Sequence, residues 1–318
     1  MEGDMKKIAY LFPGQGSQYV GMGKELYENF KEAKEVFEEA SDSLQFDIKK
    51  LCFEGPEVEL NKTENSQPAI LTVSYAAYRV FKENFDVEPV AMAGHSLGEY
   101  SALVASEALK FYDAVKVVRA RGKFMQESVP LGLGTMSAII GLEREKVEES
   151  CEEASKEAYV QPANYNCPGQ VVISGYVRGV EVANEISRKK GAIKTIKLAV
   201  SAPFHSKLME PAARKLAEKF DYVEIKDPKY PVISNVDAIP NYSKDTIKEL
   251  LIRQVSSPVK WEDSMKYLIN KMGIEQVIEF GPGRVLCGLM KKINRNIKVA
   301  NLENLKNFKM LKNLFQEG

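Results

Sequence analysis

The chain has 318 residues, which suggests about two domains or one domain with a large insertion. With 44% hydrophobic residues it can bury a substantial core. Its 44 Lys and Arg residues balance 44 Asp and Glu residues, so the neutral chain argues against general binding to nucleic acid or to a membrane surface. No apolar run approaches the roughly 18 residues of a transmembrane helix, and the acidic residues 1–4 are not expected to begin a signal peptide.

The cysteines and histidines limit the redox and metal chemistry that can be expected. The four cysteines are Cys52, Cys151, Cys167 and Cys287. They are widely spaced and form no Cys-x-x-Cys pair, so we expect reduced thiols in a cytoplasmic protein. The chain has two histidines, His95 and His205, and we therefore expect no metal site.

The first predicted strand, at residues 7–12, ends in a glycine-rich loop, Pro-Gly-Gln-Gly-Ser-Gln at 13–18. This loop does not fit a nucleotide site, because Tyr19 stands where the dinucleotide fingerprint needs glycine and no Gly-Lys-Ser/Thr follows. We interpret the loop instead as main chain that must approach another group closely. Helical patterns follow at 23–43 and 68–84.

The most informative stretch is residues 90–108. A short apolar run at 90–93 leads into Gly94-His95-Ser96-Leu97-Gly98, and a helix-like run follows at 99–108. A strand, Gly-x-Ser-x-Gly and a helix in this order are typical of a nucleophile elbow. The pattern predicts an exposed Ser96 hydroxyl, a Leu97 N–H that points at an oxyanion, and glycines where a Cβ atom would clash. The alternative is a Gly-Ser turn without chemistry.

The period of the apolar residues changes after the next helix, which is predicted at 111–128. Val115, Val118 and Met125 mark the apolar face of that helix, and Arg119 and Arg121 are expected to lie off it. Strands are then predicted at 136–140, 159–165, 171–174 and 192–198, with helices at 143–158 and 180–190. This β-α-β-β-α-β order is typical of a ferredoxin-like unit, so residues 130–200 are predicted to be an inserted subdomain.

Residues 201–318 show an alternating pattern of strands and helices. The strands are predicted at 231–236, 276–280 and 298–302, and the helices at 208–220, 245–255, 261–272, 285–292 and 305–315. Such alternation implies a parallel sheet with helices on both faces. Residues 1–129 and 201–318 are therefore assigned to one large α/β domain.

A serine hydroxyl is a weak nucleophile and needs a neighbouring base. His95 adjoins Ser96, and neighbouring side chains diverge in a sharp turn, so we expect His95 to be structural. His205 lies in a proline-punctuated loop where the chain returns to the large domain, and it is the preferred base. The alternative for His205 is a hydrogen-bonded core histidine.

Seven motifs extend in order over nearly the whole chain. They are P-G-Q-G-S-Q (13–18), G-H-S-L-G-E (94–99), R-G-K-F-M (121–125), N-Y-N-C-P-G-Q-V-V-I-S-G (164–175), P-F-H-S-x-L-M (203–209), Q-V-S-S-P-V-x-W (254–261) and F-G-P-G (280–283). Each motif is weak alone, but the set in register resembles the malonyl-CoA:acyl carrier protein transacylases. The resemblance implies an α/β-hydrolase-like large domain with an inserted ferredoxin-like domain.

The resemblance also implies catalytic roles. Ser96 would be the nucleophile and His205 the general acid and base. Gln254 would orient His205, in the place that an Asp holds in a triad. The main-chain N–H groups of Gln15 and Leu97 would form the oxyanion hole. Without the resemblance, Gln254 could equally be a helix-end residue that caps a carbonyl.

Three further residues are implied to bind the substrate. Arg121 would hold the free carboxylate of a malonyl group, although by itself it could be a surface charge on a helix. Asn164 would lie at the substrate. The bulk of Phe204, next to His205, would disfavour an α-methyl branch on the acyl chain.

The resemblance implies a ping-pong transfer from malonyl-CoA to the phosphopantetheine thiol of holo acyl carrier protein, which supplies fatty acid synthesis. A monomer without a metal or redox cofactor is expected. Three alternatives remain open: an acyltransferase of a polyketide assembly line, a serine thioesterase or hydrolase, and a non-catalytic carrier-binding module. Because carrier proteins are acidic as a class, a basic docking surface is expected, with Lys189, Lys190, Lys194, Lys197, Lys291 and Lys292 as candidates.

Overall fold

The computed structural model describes residues 7–200 and 202–316 and contains two sheets. The first predicted loop residue of the returning chain, at 201, and the expectation for residues 1–4 lie outside this described part. Among the described residues, no helix is both long enough and apolar enough to cross a membrane. The predicted α/β fold, with a large domain and a smaller inserted one, is confirmed by the two sheets.

The larger sheet has six strands in the order β10-β9-β1-β2-β7-β8. The strands are β1 (Ile8–Phe12), β2 (Ala91–Gly94), β7 (Val232–Ile233), β8 (Pro240–Asn241), β9 (Gln276–Phe280) and β10 (Lys298–Leu302). All neighbours pair in parallel except β7 and β8, which form an antiparallel pair that the sequence pattern did not predict. Every residue of β1, β2 and β9 is buried, as expected for strands covered on both faces.

The smaller sheet has four antiparallel strands in the order β4-β5-β3-β6. Its elements in chain order are β3 (Gly134–Ile140), α8 (Arg144–Ala154), β4 (Val160–Cys167), β5 (Gln170–Tyr176), α9 (Val177–Lys189) and β6 (Lys194–Lys197). This is the β-α-β-β-α-β order predicted from the sequence. The two helices cover one face through a separate apolar cluster that includes Ile139, Val147 and Val180.

Helices cover both faces of the larger sheet. They are α1 (Lys24–Asn29), α2 (Lys31–Leu44), α3 (Ile48–Glu54), α4 (Glu57–Leu60), α5 (Thr63–Asn84), α6 (Leu97–Ala105), α7 (Phe111–Glu127), α10 (Glu210–Phe220), α11 (Lys244–Ser256), α12 (Trp261–Asn270), α13 (Val285–Ile293) and α14 (Leu305–Gln316), with a 3₁₀ turn at Lys207–Met209. The predicted helix at 23–43 is two helices, because Phe30 adopts an extended conformation with φ −131°. Helix α5 begins five residues before the predicted start, with Pro68 inside it.

The site is positioned by the order of the strands. Strand β2 lies between β1 and β7, and the carboxyl ends of these parallel strands open at one edge of the sheet. The glycine-rich loop follows β1, Ser96 follows β2, and Asn235 follows β7. Ligands of open α/β sheets bind at this edge, so the three segments are expected to meet around one site.

Candidate active site

The turn at Ser96 is a tight strand-to-helix connection. Ser96 has φ 51° and ψ −105°, a strained conformation for a residue with a Cβ atom. A Cβ atom on Gly94 would lie 1.8 Å from the carbonyl carbon of Gly98, and one on Gly98 would lie 2.0 Å from the Phe12 oxygen. Both positions therefore require glycine, because the helix starts in direct contact with the strand ends.

Asn235 holds the turn from the neighbouring strand end, and sequence reasoning did not identify it. Its side-chain oxygen accepts from the Ser96 N–H at 2.7 Å, and its amide nitrogen donates to the Gly94 oxygen at 2.7 Å. The Ser96 N–H is thereby occupied. The only signal in the sequence was an Asn near the carboxyl end of the strand predicted at 231–236.

His205 contacts the serine hydroxyl. Its Nε2 lies 2.7 Å from Ser96 Oγ, and its Nδ1 lies 2.9 Å from the main-chain oxygen of Gln254. Because a carbonyl oxygen can only accept, Nδ1 carries the proton and Nε2 accepts from the hydroxyl. His205 has φ 56°, and Gln161 donates to its carbonyl at 3.0 Å, so the main chain of this loop is fixed as well.

Gln254 contacts the His205 ring through its main-chain oxygen, and its side chain does not take the place of the Asp of a triad. The side-chain nitrogen donates to the Ser96 oxygen at 3.0 Å and to Glu99 Oε2 at 2.7 Å. The side-chain oxygen accepts from Arg121 at 2.9 Å. Gln254 is buried near the end of α11, where the last carbonyl groups of a helix have no partner within it. One of these carbonyls orients His205.

Arg121 lies on the buried face of α7, and the prediction that it lies off that face was wrong. It follows Val118 by three positions and precedes Met125 by four, so all three share one side of the helix. The side chain is 1% exposed, and its NH1 donates to Gln67 Oε1 at 2.8 Å while NH2 donates to Ser96 Oγ at 3.1 Å. Arg119, by contrast, is partly exposed and donates to the Leu44 oxygen.

Burial sets the protonation states of the site. Burial, with the nearby charge of Arg121 as a smaller cause, lowers the pKa of His205 to about 3, so the imidazole is neutral and able to accept a proton. Burial also lowers the pKa of Arg121, while the charge of Glu99 acts in the opposite direction. The pKa of Glu99 is raised to about 7, again chiefly by burial.

The other histidine makes contacts that serve packing. His95 Nε2 lies 2.9 Å from Asn166 Oδ1, and its ring centroid is 5.5 Å from that of Trp261.

Asn164 and Phe204 are both buried and both line the cavity above Ser96. They reach it from different segments, Asn164 from β4 and Phe204 from the loop before His205.

The cavity above Ser96 has a volume of about 530 Å³ and lies between the two sheets. The smaller sheet contributes apolar side chains such as Met136 and Val172, and the larger one contributes the loops around Gln15 and Leu97. Neither the Gln15 nor the Leu97 main-chain N–H donates a hydrogen bond within the described part of the chain. A metal centre has no obvious donors, since no group of three His, Cys, Asp or Glu side chains comes together among the described residues.

Residues 9–306 match the family described as "Acyl transferase domain". A malonyl CoA-acyl carrier protein transacylase from Bacillus subtilis is 53% identical over 295 residues, which are 92% of each chain. The crystal structure of an acyl carrier protein S-malonyltransferase from Vibrio cholerae, at 42% identity, has a TM-score of 0.94 and covers 96% of this chain and 100% of that one.

A third relative was solved as a malonyl-transacylase in complex with a type II PKS acyl-carrier protein. It is 43% identical, has a TM-score of 0.94, and the match covers 98% of this chain and 100% of that one. These matches span almost all of the sequence, including both sheets, and they confirm the resemblance drawn from the seven motifs. The chain is therefore an acyl transferase that belongs to the malonyl CoA-acyl carrier protein transacylase family.

Proposed function

We propose that this chain transfers a malonyl group from malonyl-CoA to the phosphopantetheine thiol of holo acyl carrier protein, through an ester on Ser96. The observation that supports malonyl is the 3.1 Å contact between Arg121 NH2 and Ser96 Oγ. In a malonyl ester one methylene separates the ester carbonyl from the free carboxylate. A guanidinium beside the ester oxygen suits this short reach, and it offers two parallel donors to the carboxylate.

The first half-reaction forms the ester. Nε2 of His205 takes the hydroxyl proton as Ser96 Oγ attacks the thioester carbonyl. The N–H groups of Gln15 and Leu97 donate to the oxyanion of the tetrahedral intermediate. The carbon–sulfur bond then breaks, and the imidazolium returns the proton to the sulfur of coenzyme A as it leaves.

The second half-reaction reverses these roles with a new thiol. The phosphopantetheine thiol of the carrier protein enters the cavity and gives its proton to His205 as its sulfur attacks the ester. The same two N–H groups stabilise the second oxyanion. Ser96 Oγ leaves with the proton from His205, so the enzyme returns to its starting state and the malonyl thioester is released on the carrier.

The ester on Ser96 can be tested directly. After exposure to malonyl-CoA alone, mass spectrometry should show one malonyl adduct on the peptide that contains Ser96, and Ser96→Ala should show none. Addition of holo carrier protein should remove the adduct and produce malonyl-carrier. An adduct of unchanged yield in Ser96→Ala would exclude Ser96 as the nucleophile. Rapid release of all coenzyme A without an acceptor would indicate a hydrolase instead.

Fatty acid synthesis is the pathway that we propose to use the product. A polyketide carrier remains the second candidate, because one relative was solved with a type II PKS acyl-carrier protein. A comparison of kcat/KM for the two kinds of carrier protein distinguishes these pathways. We place the reaction in the cytoplasm, which the four free, buried cysteines support.

We also propose that the boundaries of the inserted subdomain lie at 130 and 200. All four strands of the smaller sheet lie between Gly134 and Lys197, and their apolar cluster with α8 and α9 is separate from the clusters around the larger sheet. The active-site cavity then lies at the junction of the two domains, as small-molecule sites often do.

A further inference from the structure

Glu99 is a buried carboxyl group next to the active site that the reaction described above does not use. It lies in the first turn of α6, three residues after Ser96, and is 3% exposed. Its Oε2 accepts from the Gln254 side-chain nitrogen at 2.7 Å and from the Asn235 main-chain N–H at 3.0 Å. Both donors belong to residues that hold the catalytic groups.

Arg121 is a buried guanidinium whose direct partners are all neutral. Its hydrogen bonds go to Gln67 Oε1, Ser96 Oγ and Gln254 Oε1, and within the described residues no carboxylate forms an ion pair with it. A buried charge without a counter-charge is strongly unfavourable. Gln254 bridges this gap, since its oxygen accepts from Arg121 at 2.9 Å while its nitrogen donates to Glu99.

We propose that Glu99 is a positioning residue that acts as the counter-charge of Arg121, transmitted through the side-chain amide of Gln254. The inference rests on the proposed function, because it assumes that Arg121 receives the malonyl carboxylate. A carboxylate in direct contact with Arg121 would occupy the donors that the substrate needs. A carboxylate held one amide away stabilises the guanidinium in the empty enzyme. It leaves Nε, which has no partner among the described residues, and the second N–H of NH1 available to the substrate.

The network also fixes which way the Gln254 amide faces. Glu99 offers only acceptor oxygens when ionised, so the amide nitrogen of Gln254 points to it and the amide oxygen points to Arg121. The same residue supplies the carbonyl that orients His205. Glu99 thus connects the carboxylate-binding group and the base through a single glutamine.

The test is Glu99→Gln, which keeps the shape and an acceptor oxygen but removes the charge. The site becomes more positive, so the KM for malonyl-CoA should fall about tenfold while the KM for acetyl-CoA stays unchanged. Glu107→Gln, at an exposed carboxyl just after α6, is the matched control and should change neither. An unchanged or raised KM for malonyl-CoA would overturn the proposal, and a rise in both KM values would indicate a structural role only.

The pH dependence gives a second readout. Burial raises the pKa of Glu99 to about 7, with Asp237 adding to the increase and Arg121 opposing it. His205 stays neutral in this range, because its pKa is lowered to about 3. Protonation of Glu99 below pH 7 should therefore lower the KM of the wild type for malonyl-CoA, as the substitution does. If the KM of Glu99→Gln for malonyl-CoA fell below pH 7 as that of the wild type does, the proposal would be contradicted.

A stability cycle tests the coupling without relying on activity. Arg121→Met should lower the midpoint of urea unfolding at pH 8 more in the wild type than in Glu99→Gln, because only the wild type keeps a buried carboxylate that loses its counter-charge. The double variant should lose clearly less than the sum of the two single effects. If the effects of the two single substitutions on stability simply added up in the double variant, the proposal would be overturned. Because acylation of the wild type by malonyl-CoA tests the proposed function separately, failure of one can be told from failure of the other.

Discussion

At the scale of single residues, the site is built on two contacts to the hydroxyl of Ser96, the proposed nucleophile. Ser96 Oγ lies 2.7 Å from His205 Nε2 and 3.1 Å from Arg121 NH2, so the proposed base and the proposed carboxylate-binding group contact the same atom. A guanidinium at this distance can act on the substrate only when the acyl chain bends its carboxylate back toward the ester. We therefore propose that the position of Arg121 favours a short dicarboxylic acyl group.

Arg121→Ala should lose malonyl transfer and gain relative activity on acetyl-CoA. The lost charge-assisted hydrogen bonds are worth roughly 2–3 kcal/mol, or about 30- to 150-fold in kcat/KM for malonyl-CoA. Arg121→Lys should recover little, because a point charge on a flexible stem lacks the two parallel donors. The measurement is the ratio of kcat/KM for malonyl-CoA and acetyl-CoA, with Arg119→Ala as the control. A shift of that ratio in Arg119→Ala alone would reassign the carboxylate site.

Gln254→Ala should be milder than His205→Ala. The alanine keeps the main-chain carbonyl that accepts from His205 Nδ1, whereas His205→Ala removes the base and should slow both half-reactions about 10²- to 10⁴-fold. Single-turnover rates of acylation and of transfer to the carrier measure the two effects. His95→Ala serves as the control, since its ring contacts Asn166 and lies outside the proton path. Equal losses for Gln254→Ala and His205→Ala would show that the side chain is indispensable.

The sequence led to most of the residues that meet at Ser96, but it placed one of them wrongly. Apolar periodicity assigns a charged residue to the exposed side of a helix, and this rule failed for Arg121, which contacts Ser96 and Gln254. The analogy with a triad led to Gln254, which contacts His205 through its main-chain oxygen, a group that any residue could supply. Asn235 and Glu99 were missed because their partners are distant in the sequence.

At the scale of secondary structure, the predictable elements are the long and periodic ones. The limits of α7 and β9 follow from the pattern within one residue, since each buries a continuous face or run. The short elements α3, α4 and β8 were not predicted. Elements of two to seven residues show too little periodicity, and their conformation is decided by packing against α5 and by the pairing with β7.

Glu279 shows how one buried carboxyl joins two elements. Glu279 is the second-last residue of β9. Its carboxyl oxygens accept from the main-chain N–H groups of Leu286 and Cys287, in the first turn of α13, at 3.1 and 2.8 Å. Burial raises its pKa from 4.5 to about 7. The folded state therefore holds a proton here that the unfolded state has already lost, and stability from this group declines as the pH rises from about 4.5 to 7.

Glu279→Gln should accordingly destabilise the protein more at pH 5 than at pH 8. The cost of the substitution should shrink by about 2–3 kcal/mol over this range, at about 1.4 kcal/mol for each unit of the raised pKa. Urea unfolding at the two pH values measures the difference. Glu275→Gln, at an exposed position just before β9, should follow the wild type at both. A cost that grows with pH would mean that the pKa of Glu279 is lowered in the folded protein.

At the scale of the whole molecule, not all of the six candidate lysines are placed to form the expected basic docking surface. Lys190 forms ion pairs with Glu149 and Glu153, and Lys291 donates to the carbonyls of Arg295 and Ile297 after α13, so neither is well placed to meet a carrier protein. Lys292 lies 3.3 Å from Gln170, which lines the cavity, and the exposed Lys197 directly precedes Leu198, which also lines it. Lys197 belongs to β6 of the smaller sheet and Lys292 to α13, so the two lysines reach the same opening from different parts of the fold.

The double variant Lys197→Glu/Lys292→Glu should therefore slow the second half-reaction selectively. Charge complementarity mainly sets the rate of encounter, so kcat/KM for holo carrier protein should fall about tenfold at low salt, and its dependence on salt should weaken. Transfer to free pantetheine, which is uncharged, should keep its rate, because the catalytic groups are untouched. Lys31→Glu/Lys34→Glu, on the exposed side of α2, is the matched reversal of two charges away from the cavity. If both double variants lowered the carrier rate equally, the effect would come from the net charge of the protein. If the rate of transfer to pantetheine fell as much as the rate of transfer to the carrier, the two lysines would line the cavity itself. Only a substitution inside the cavity affects an acceptor that makes no contact with the surface.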